Sequence, residues 1–214
     1  MTDDRSGGAS PAPATFPFRG RFASKGPGPA STANIANVVT VVRILMAPLF
    51  IAWLLVDDGA DGPLRIAAAV LFVVAILTDS LDGALARGLD LVTDFGKIVD
   101  PIADKVLIGG ALVSLTILGE LPWWVTALIL LREVGITVYR FIVIRDRVVP
   151  ASRGGKLKTV LQAVAVTLAL FPLWNVFGEA MHWVNGVLMT AALVATLVSG
   201  ADYLRVAAKH GRGA

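Results

Sequence analysis

From Asn34 onward, long apolar stretches alternate with short polar breaks. The pattern predicts six helical spans at roughly 35–56, 65–87, 96–119, 121–146, 156–175 and 181–206. Few of them are unbroken. The second is apolar only from Ile66 to Leu77, before Thr78 and Asp79, and the fourth meets Arg132 after Leu131. One run of ~12 apolar residues also fits a buried helix of a soluble protein. Six such runs in a chain of 214 residues point to a membrane. The expected fold is therefore all-α: a polytopic integral membrane protein with six transmembrane helices over residues 34–214. Residues 1–33 hold five of the eleven prolines and are rich in Gly, Ala and Ser. They are expected to form a disordered cytoplasmic tail.

Composition agrees with this pattern. The chain is 56% hydrophobic and only 16% charged, against roughly 25% charged residues in a soluble domain. An ordinary water-soluble enzyme and a disordered chain are both excluded. Cysteine is absent, so there is neither a disulfide nor a thiolate metal site. No nucleic-acid partner is expected.

The placement of the charges orients the spans. Arg5, Arg19, Arg21 and Lys25 lie in the tail, and Arg87 and Lys97 flank the second connection. Arg145, Arg147, Arg153, Lys156 and Lys158 mark the fourth connection, and Lys209 and Arg212 the C-terminus. The other breaks, VDDGADGPL, GEL and WNVFGEAMH, carry only acidic residues and a histidine. The positive-inside rule then places both termini in the cytoplasm, for a multi-pass protein of the cell's inner (plasma) membrane. Trp53, Trp123, Trp124, Trp174 and Trp183 all fall at the predicted outer ends, where an apolar ring with one N–H donor is favoured.

Ionisable residues inside the spans must face one another, a ligand or water, because a charge at the bilayer centre costs ~2.5–3.5 kcal/mol. Arg43, Asp79, Asp82, Asp100, Asp104, Lys105, Arg132, Glu133 and Arg140 are such residues, and they cluster toward the cytoplasmic side. The outer halves are expected to hold no ionisable group. A polar cavity open to the cytoplasm follows, suited to one substrate from water and one from lipid. A proton- or cation-coupled transporter would need ionisable residues to continue outward.

The densest constellation reads D-x2-D-G-x2-A-R-x8-G-x3-D-x3-D over residues 79–104. Asp79 and Asp82 are i, i+3, and Asp100 and Asp104 are i, i+4, so each pair shares a helix face. A short connection makes the two helices antiparallel neighbours, and four carboxylates converge. A cation among them would relieve their repulsion. Oxygen-only ligands indicate a hard ion, Mg²⁺ or Mn²⁺, and such ions accompany phosphate. Gly83, Ala86 and Gly96 leave room for a nucleotide or for close helix packing, and Arg87 is within reach of a phosphate. Asp90 and Asp94, in the connection, are expected to be solvated.

This string resembles the signature of the CDP-alcohol phosphotransferases, which it matches without departure. The resemblance implies that Asp79, Asp82 and Asp100 coordinate metal holding the CDP diphosphate. It implies that Asp104 is the general base for the acceptor hydroxyl, although Asp104 could instead be a fourth metal ligand. NIANVVTVVRILMAP, WWVTALILLREVGITVYR and GGKLKT are similar to the phosphatidylglycerophosphate synthase branch, so the likeness covers most of 34–165. It places Thr40 and Arg43 near the nucleotide. It also implies CDP-diacylglycerol as donor, glycerol 3-phosphate as acceptor, contact with membrane lipid, and a homodimer. Inositol phosphate, or phosphatidylglycerol as in a cardiolipin-forming relative, are alternative acceptors.

A phosphate-bearing acceptor needs cations. Arg132, Arg140, Lys156 and Lys158 are the candidates; Lys156 and Lys158 flank a helix N-terminus, which favours anions. Arg132 stands ~9 residues from Trp123, or ~14 Å deep at 1.5 Å per residue, and pairing with Glu133 or Asp104 is an alternative for it. Pro48 and Pro101 are expected to shape helices, His182 to sit at the outer interface without a ligand role, and Asp202 and Arg205 to form a local ion pair.

Overall fold

In a computed structural model of the protein, the backbone is described for residues 35–89, 94–143 and 153–211, and the side chains for 37–79, 99–139 and 157–205. The expected tail, residues 1–33, lies outside them. Among the described residues there are seven helices and no strand: α1 (Ile35–Asp57), α2 (Pro63–Leu89), α3 (Asp94–Ile117), α4 (Trp123–Val143), α5 (Arg153–Leu170), α6 (Trp174–Phe177) and α7 (Glu179–Gly211). Each of the six long helices overlaps one of the six predicted segments. α5 begins three residues before its predicted start and ends five before its predicted end, and one extra turn, α6, folds within the last connection. Pro48 and Pro101 lie inside α1 and α3.

α1 packs against α2 and α3, and α5 against α7; α4 touches α3 and α7, while α5 joins the two groups through α2 and α3. Small residues allow these approaches. Ala47, Ala68, Ala69, Ala75, Ala111, Ala165 and Ala192 are fully buried. At Gly110 of α3 a Cβ would stand 2.5 Å from Ile51 Cδ1 of α1, so a larger residue there would require that side chain to move. Phe50 and Phe72, with ring centroids 5.6 Å apart, fill the centre with Leu54, Leu107 and Leu112.

The outside of the bundle is apolar as well. Leu45, Val74, Val113, Leu131, Val160 and Val198 are exposed, one on each long helix. The segments Asn37–Asp57 and Glu179–Arg205 are long and apolar enough to cross a membrane, yet only 28% of each apolar window is buried. Core helices of a soluble protein would be mostly buried, so these surfaces suit lipid. α2, α3 and α4 are interrupted by the very charges that build the site.

The end of the bundle that carries the tryptophans is locked by Arg65, which is fully buried. Its guanidinium forks onto both Glu120 carboxylate oxygens at 2.5 Å and lies 3.5 Å from Asp61. It also donates to the carbonyls of Ala169 and Leu170 at 3.0 Å. Those are terminal carbonyls of α5, which have no partner within their own helix. Trp174 covers the cation at 4.8 Å. Glu120 is delivered by the end of α3: Gly119, at φ +74°, lets Glu120 N–H bond Leu115 O and its own N–H bond Thr116 O, a Schellman closure. Asp57 accepts from Gly62 N–H and Arg65 N–H, capping the start of α2.

The expectation of no ionisable group in the outer halves is thereby corrected. Arg65 opens the second span and is as deeply buried as any of the described residues, because four polar groups and a tryptophan face surround it. Removing one member of a buried charge network costs roughly 3–5 kcal/mol. Arg65→Ala is accordingly expected to lower the unfolding temperature of the detergent-solubilised protein markedly, with Arg65→Lys intermediate. An unchanged melting curve would show that the lock does not hold this end.

Candidate active site

α1 is almost wholly apolar, yet it presents Thr40 and Arg43 one turn apart on one buried face. Each reaches a different helix. Thr40 Oγ1 donates to Asp100 Oδ1 of α3 at 2.6 Å. Arg43 forms an ion pair with Asp79 of α2. The Arg43 side chain is 2% exposed and that of Asp79 43%, so the carboxylate stands at the mouth and the cation behind it. A cavity of about 180 Å³ opens here, lined in part by Arg43, Asp79, Asp104 and Thr159. Thr40, Arg43, Asp79, Asp100 and Asp104 were all singled out from sequence, and the fold brings them together.

A second polar cluster lies across α3. Glu133 of α4 gathers three cations: Lys158 of α5 in a close ion pair, Arg132 at 2.9 Å and Lys105 of α3 at 3.6 Å. Arg132 also donates to Ser199 Oγ of α7 at 2.8 Å. Its stem lies against Gly200, where a Cβ would stand 3.0 Å from Arg132 Cγ. A smaller cavity of about 60 Å³ is bounded by Asp104, Lys105, Glu133, Lys158 and Thr159 among others. Gln162, which also lines it, donates to Thr196 at 3.0 Å and ties α5 to α7 beneath.

Asp104, Ile108 and Thr159 line both cavities. Asp104 therefore stands on the wall between a carboxylate half and a cationic half. Of the sequence-predicted cations, Lys158 lines the second cavity, whereas Arg132 stands behind Glu133 and off the cavity wall. Between the two partners considered for Arg132, the structure selects Glu133. Glu133, Lys105 and Thr159 were not assigned a role from sequence. A carboxylate within an apolar span was the available signal for Glu133; that it joins three helices is visible only in the fold. The side chains of Asp82, Gly83, Ala86, Arg87, Gly96, Arg140 and Lys156 lie outside the described residues.

The carboxylate half suits a hard divalent ion, since Asp79 and Asp100 are oxygen donors and no histidine accompanies them. Among the described residues no three carboxylates or histidines are gathered into a ready metal site. A cavity of about 580 Å³ lies at the tryptophan end between α3, α4, α5 and α7. It contains none of the predicted residues, and its carboxylates, Asp61 and Glu120, are engaged by Arg65. Neither lysine nor arginine lines it to hold a phosphate. His182 stacks on Trp174 at 5.2 Å, and Asp202 pairs with Arg205 at 3.5 Å, as the sequence spacing predicts.

Comparison with known proteins decides the family. Residues 33–198 match the CDP-alcohol phosphatidyltransferases. The chain belongs to that family. A relative from Mycobacterium tuberculosis (strain ATCC 25618 / H37Rv), named as a probable phosphatidylglycerophosphate synthase, is 49% identical over 83% of this chain and 83% of its own length. The Bacillus subtilis (strain 168) CDP-diacylglycerol–glycerol-3-phosphate 3-phosphatidyltransferase is 36% identical over 79% of this chain and 93% of its own. The Rickettsia felis protein of the same name is 32% identical, with 83% and 97% covered. This CDP-alcohol phosphatidyltransferase is thus an enzyme of phospholipid biosynthesis.

The Thr40–Asp100 bond is a test of the carboxylate half. A hydrogen bond to a charged group contributes about 1.5–3 kcal/mol. If that contribution is expressed in catalysis, the near-isosteric Thr40→Val should reduce turnover at least ten-fold with an unchanged melting temperature. Full activity would show that Asp100 needs no support from α1.

Proposed function

We propose that this enzyme transfers the phosphatidyl group of CDP-diacylglycerol to sn-glycerol 3-phosphate, yielding phosphatidylglycerophosphate and CMP. The observation that carries the reading is the position of Asp104 between two cavities, one bearing carboxylates and one bearing lysines. The name of the Bacillus relative carries the same donor and acceptor.

In this reading Asp79, Asp82 and Asp100 hold Mg²⁺ or Mn²⁺. The ion neutralises the diphosphate and stabilises the departing CMP when bound. Asp104 could lend it an oxygen or act alone as base. Thr40 orients Asp100, and Arg43 holds Asp79 while adding positive charge beside the diphosphate. Gly83, Ala86, Arg87 and Gly96 complete the nucleotide side by resemblance. Lys158 binds the acceptor phosphate, with Arg132 behind Glu133 and with Arg140 and Lys156 from the same helices.

Asp104 accepts the proton of the acceptor hydroxyl. The hydroxyl oxygen forms a bond to the β-phosphorus, and the bond from that phosphorus to the oxygen of CMP breaks. CMP leaves with the bonding electron pair. Fixing the two substrates on either side of one carboxylate turns a bimolecular encounter into a positioned reaction.

The membrane setting supports a lipid donor. The shortest long helix, α5, has 18 residues, which at 1.5 Å per residue is ~27 Å, close to the ~30 Å hydrocarbon core. Six crossings with both termini on the cytoplasmic face of the inner membrane, and a cavity open to that side, complete the proposal. The homodimer and the cytoplasmic tail of residues 1–33 belong to it by resemblance.

The test is an assay of purified protein with CDP-diacylglycerol and Mg²⁺ or Mn²⁺, offered glycerol 3-phosphate and inositol phosphate in parallel. CMP release dependent on glycerol 3-phosphate is expected. Equal use of both acceptors would contradict the assignment. Asp104→Asn should abolish turnover while CDP binding persists; loss of CDP binding would place Asp104 among the metal ligands instead.

A further inference from the structure

The cationic half contains more than a set of basic residues. Glu133, on α4, faces two lysines from different helices, Lys105 of α3 and Lys158 of α5, and all three line the small cavity beside Asp104. Arg132 approaches the same carboxylate at 2.9 Å, away from the cavity wall, and is pinned there by Ser199 at 2.8 Å and by contact with Gly200. These charges divide by position. Glu133 pairs most closely with Lys158, and Arg132 brings a further cation to the same carboxylate from off the cavity wall. With Arg132 set against Glu133, Lys105 and Lys158 leave two positive charges beside the Asp104 carboxylate.

Two like charges so close, with side chains only 25% and 7% exposed, would repel in an apolar bundle without a carboxylate between them. With Glu133 there, both ammonium groups are drawn to one point. A phosphate monoester carries about 1.5 to 2 negative charges at neutral pH. The paired lysines match that charge.

We propose that Lys105 and Lys158 form a two-lysine clamp for the acceptor's phosphate, and that Glu133, backed by Arg132, is the positioning residue that sets the clamp. Glu133 does not touch the reacting atoms. It fixes where the two ammonium groups stand before substrate arrives, so less ordering is needed on binding. The clamp is adjacent to Asp104 in the chain and in space, which delivers the acceptor hydroxyl to the carboxylate that takes its proton. This inference rests on the proposed use of a phosphate-bearing acceptor.

Steady-state kinetics of the full-length protein in CDP-diacylglycerol/detergent micelles test it. Lys105→Met and Glu133→Gln should each raise the KM for glycerol 3-phosphate at least ten-fold, with the KM for CDP-diacylglycerol within about two-fold of wild type; the melting temperature should stay within about 2 °C in Lys105→Met and fall in Glu133→Gln, which leaves three cations without their carboxylate. Glu133→Asp should recover part of the loss. The double variant should be no worse than Glu133→Gln alone by more than about two-fold, because residues acting through one another are non-additive. An unchanged acceptor KM in Lys105→Met or Glu133→Gln would overturn the clamp. So would an equal rise in both KM values with a lowered melting temperature, which marks a structural role. A wild-type enzyme that ignores glycerol 3-phosphate would instead overturn the substrate reading itself.

Discussion

A charge inside this bundle persists only where another group answers it. The interior and the outside of the helices are both apolar, so water cannot serve as the default partner. Three side chains show the constraint at work. Arg65 is answered by Glu120, Asp61, two helix-terminal carbonyls and a tryptophan face. Arg43 is answered by Asp79, and Glu133 by three cations. In each case at least one partner comes from another helix or turn, so satisfying the charges also fixes the packing. Leaving such a group alone would cost several kcal/mol, a large share of the 5–15 kcal/mol that typically holds a domain together.

The two ends use the constraint differently. At the tryptophan end the network is closed. Arg65 has its donors consumed by protein acceptors, which ties α2, α5, α6 and the α3–α4 turn together. At the opposite end the networks are left partly open. Asp79 is nearly half exposed, and Lys105 and Lys158 face a cavity rather than a full set of acceptors. Rigidity at one end supports a polar surface at the other. α1 and α3 contribute most to this division. α1 supplies one donor to each of the two carboxylate-bearing helices, and α3 carries Asp100, Asp104 and Lys105 within six residues, so one helix serves both cavities.

Much of this was legible from residue order. The six long helices were readable because apolar stretches, most of them interrupted by a few charges, alternate with short polar or Gly/Pro-rich breaks. Asp79, Asp100 and Asp104 were readable because they recur at helical spacing inside otherwise apolar spans. Thr40 and Arg43 were readable by resemblance, and the fold supplies the physical reason, a bond from each to a site carboxylate. Other features depend on tertiary placement. Arg65 looked like a residue at the start of a span, and only the meeting of α2 with the α5 terminus buries it. α6 is a single turn, too short for periodicity to reveal. Arg132 looked like a direct phosphate ligand by its depth, but the adjacent Glu133 and the Ser199–Gly200 step of α7 hold it back. Lys105 was readable as a charge within a span, but its place opposite Glu133 and Lys158 depends on how α3, α4 and α5 meet.

The central claim is that donor and acceptor occupy separate cavities that meet at Asp104. A crystallographic or cryo-EM structure with Mn²⁺, CDP and glycerol 3-phosphate measures this directly. The account predicts Mn²⁺ density among Asp79, Asp82 and Asp100, with the acceptor phosphate between Lys105 and Lys158 and its hydroxyl facing Asp104. Acceptor density beside Arg43 and Asp79, or in the cavity at the tryptophan end, would contradict it.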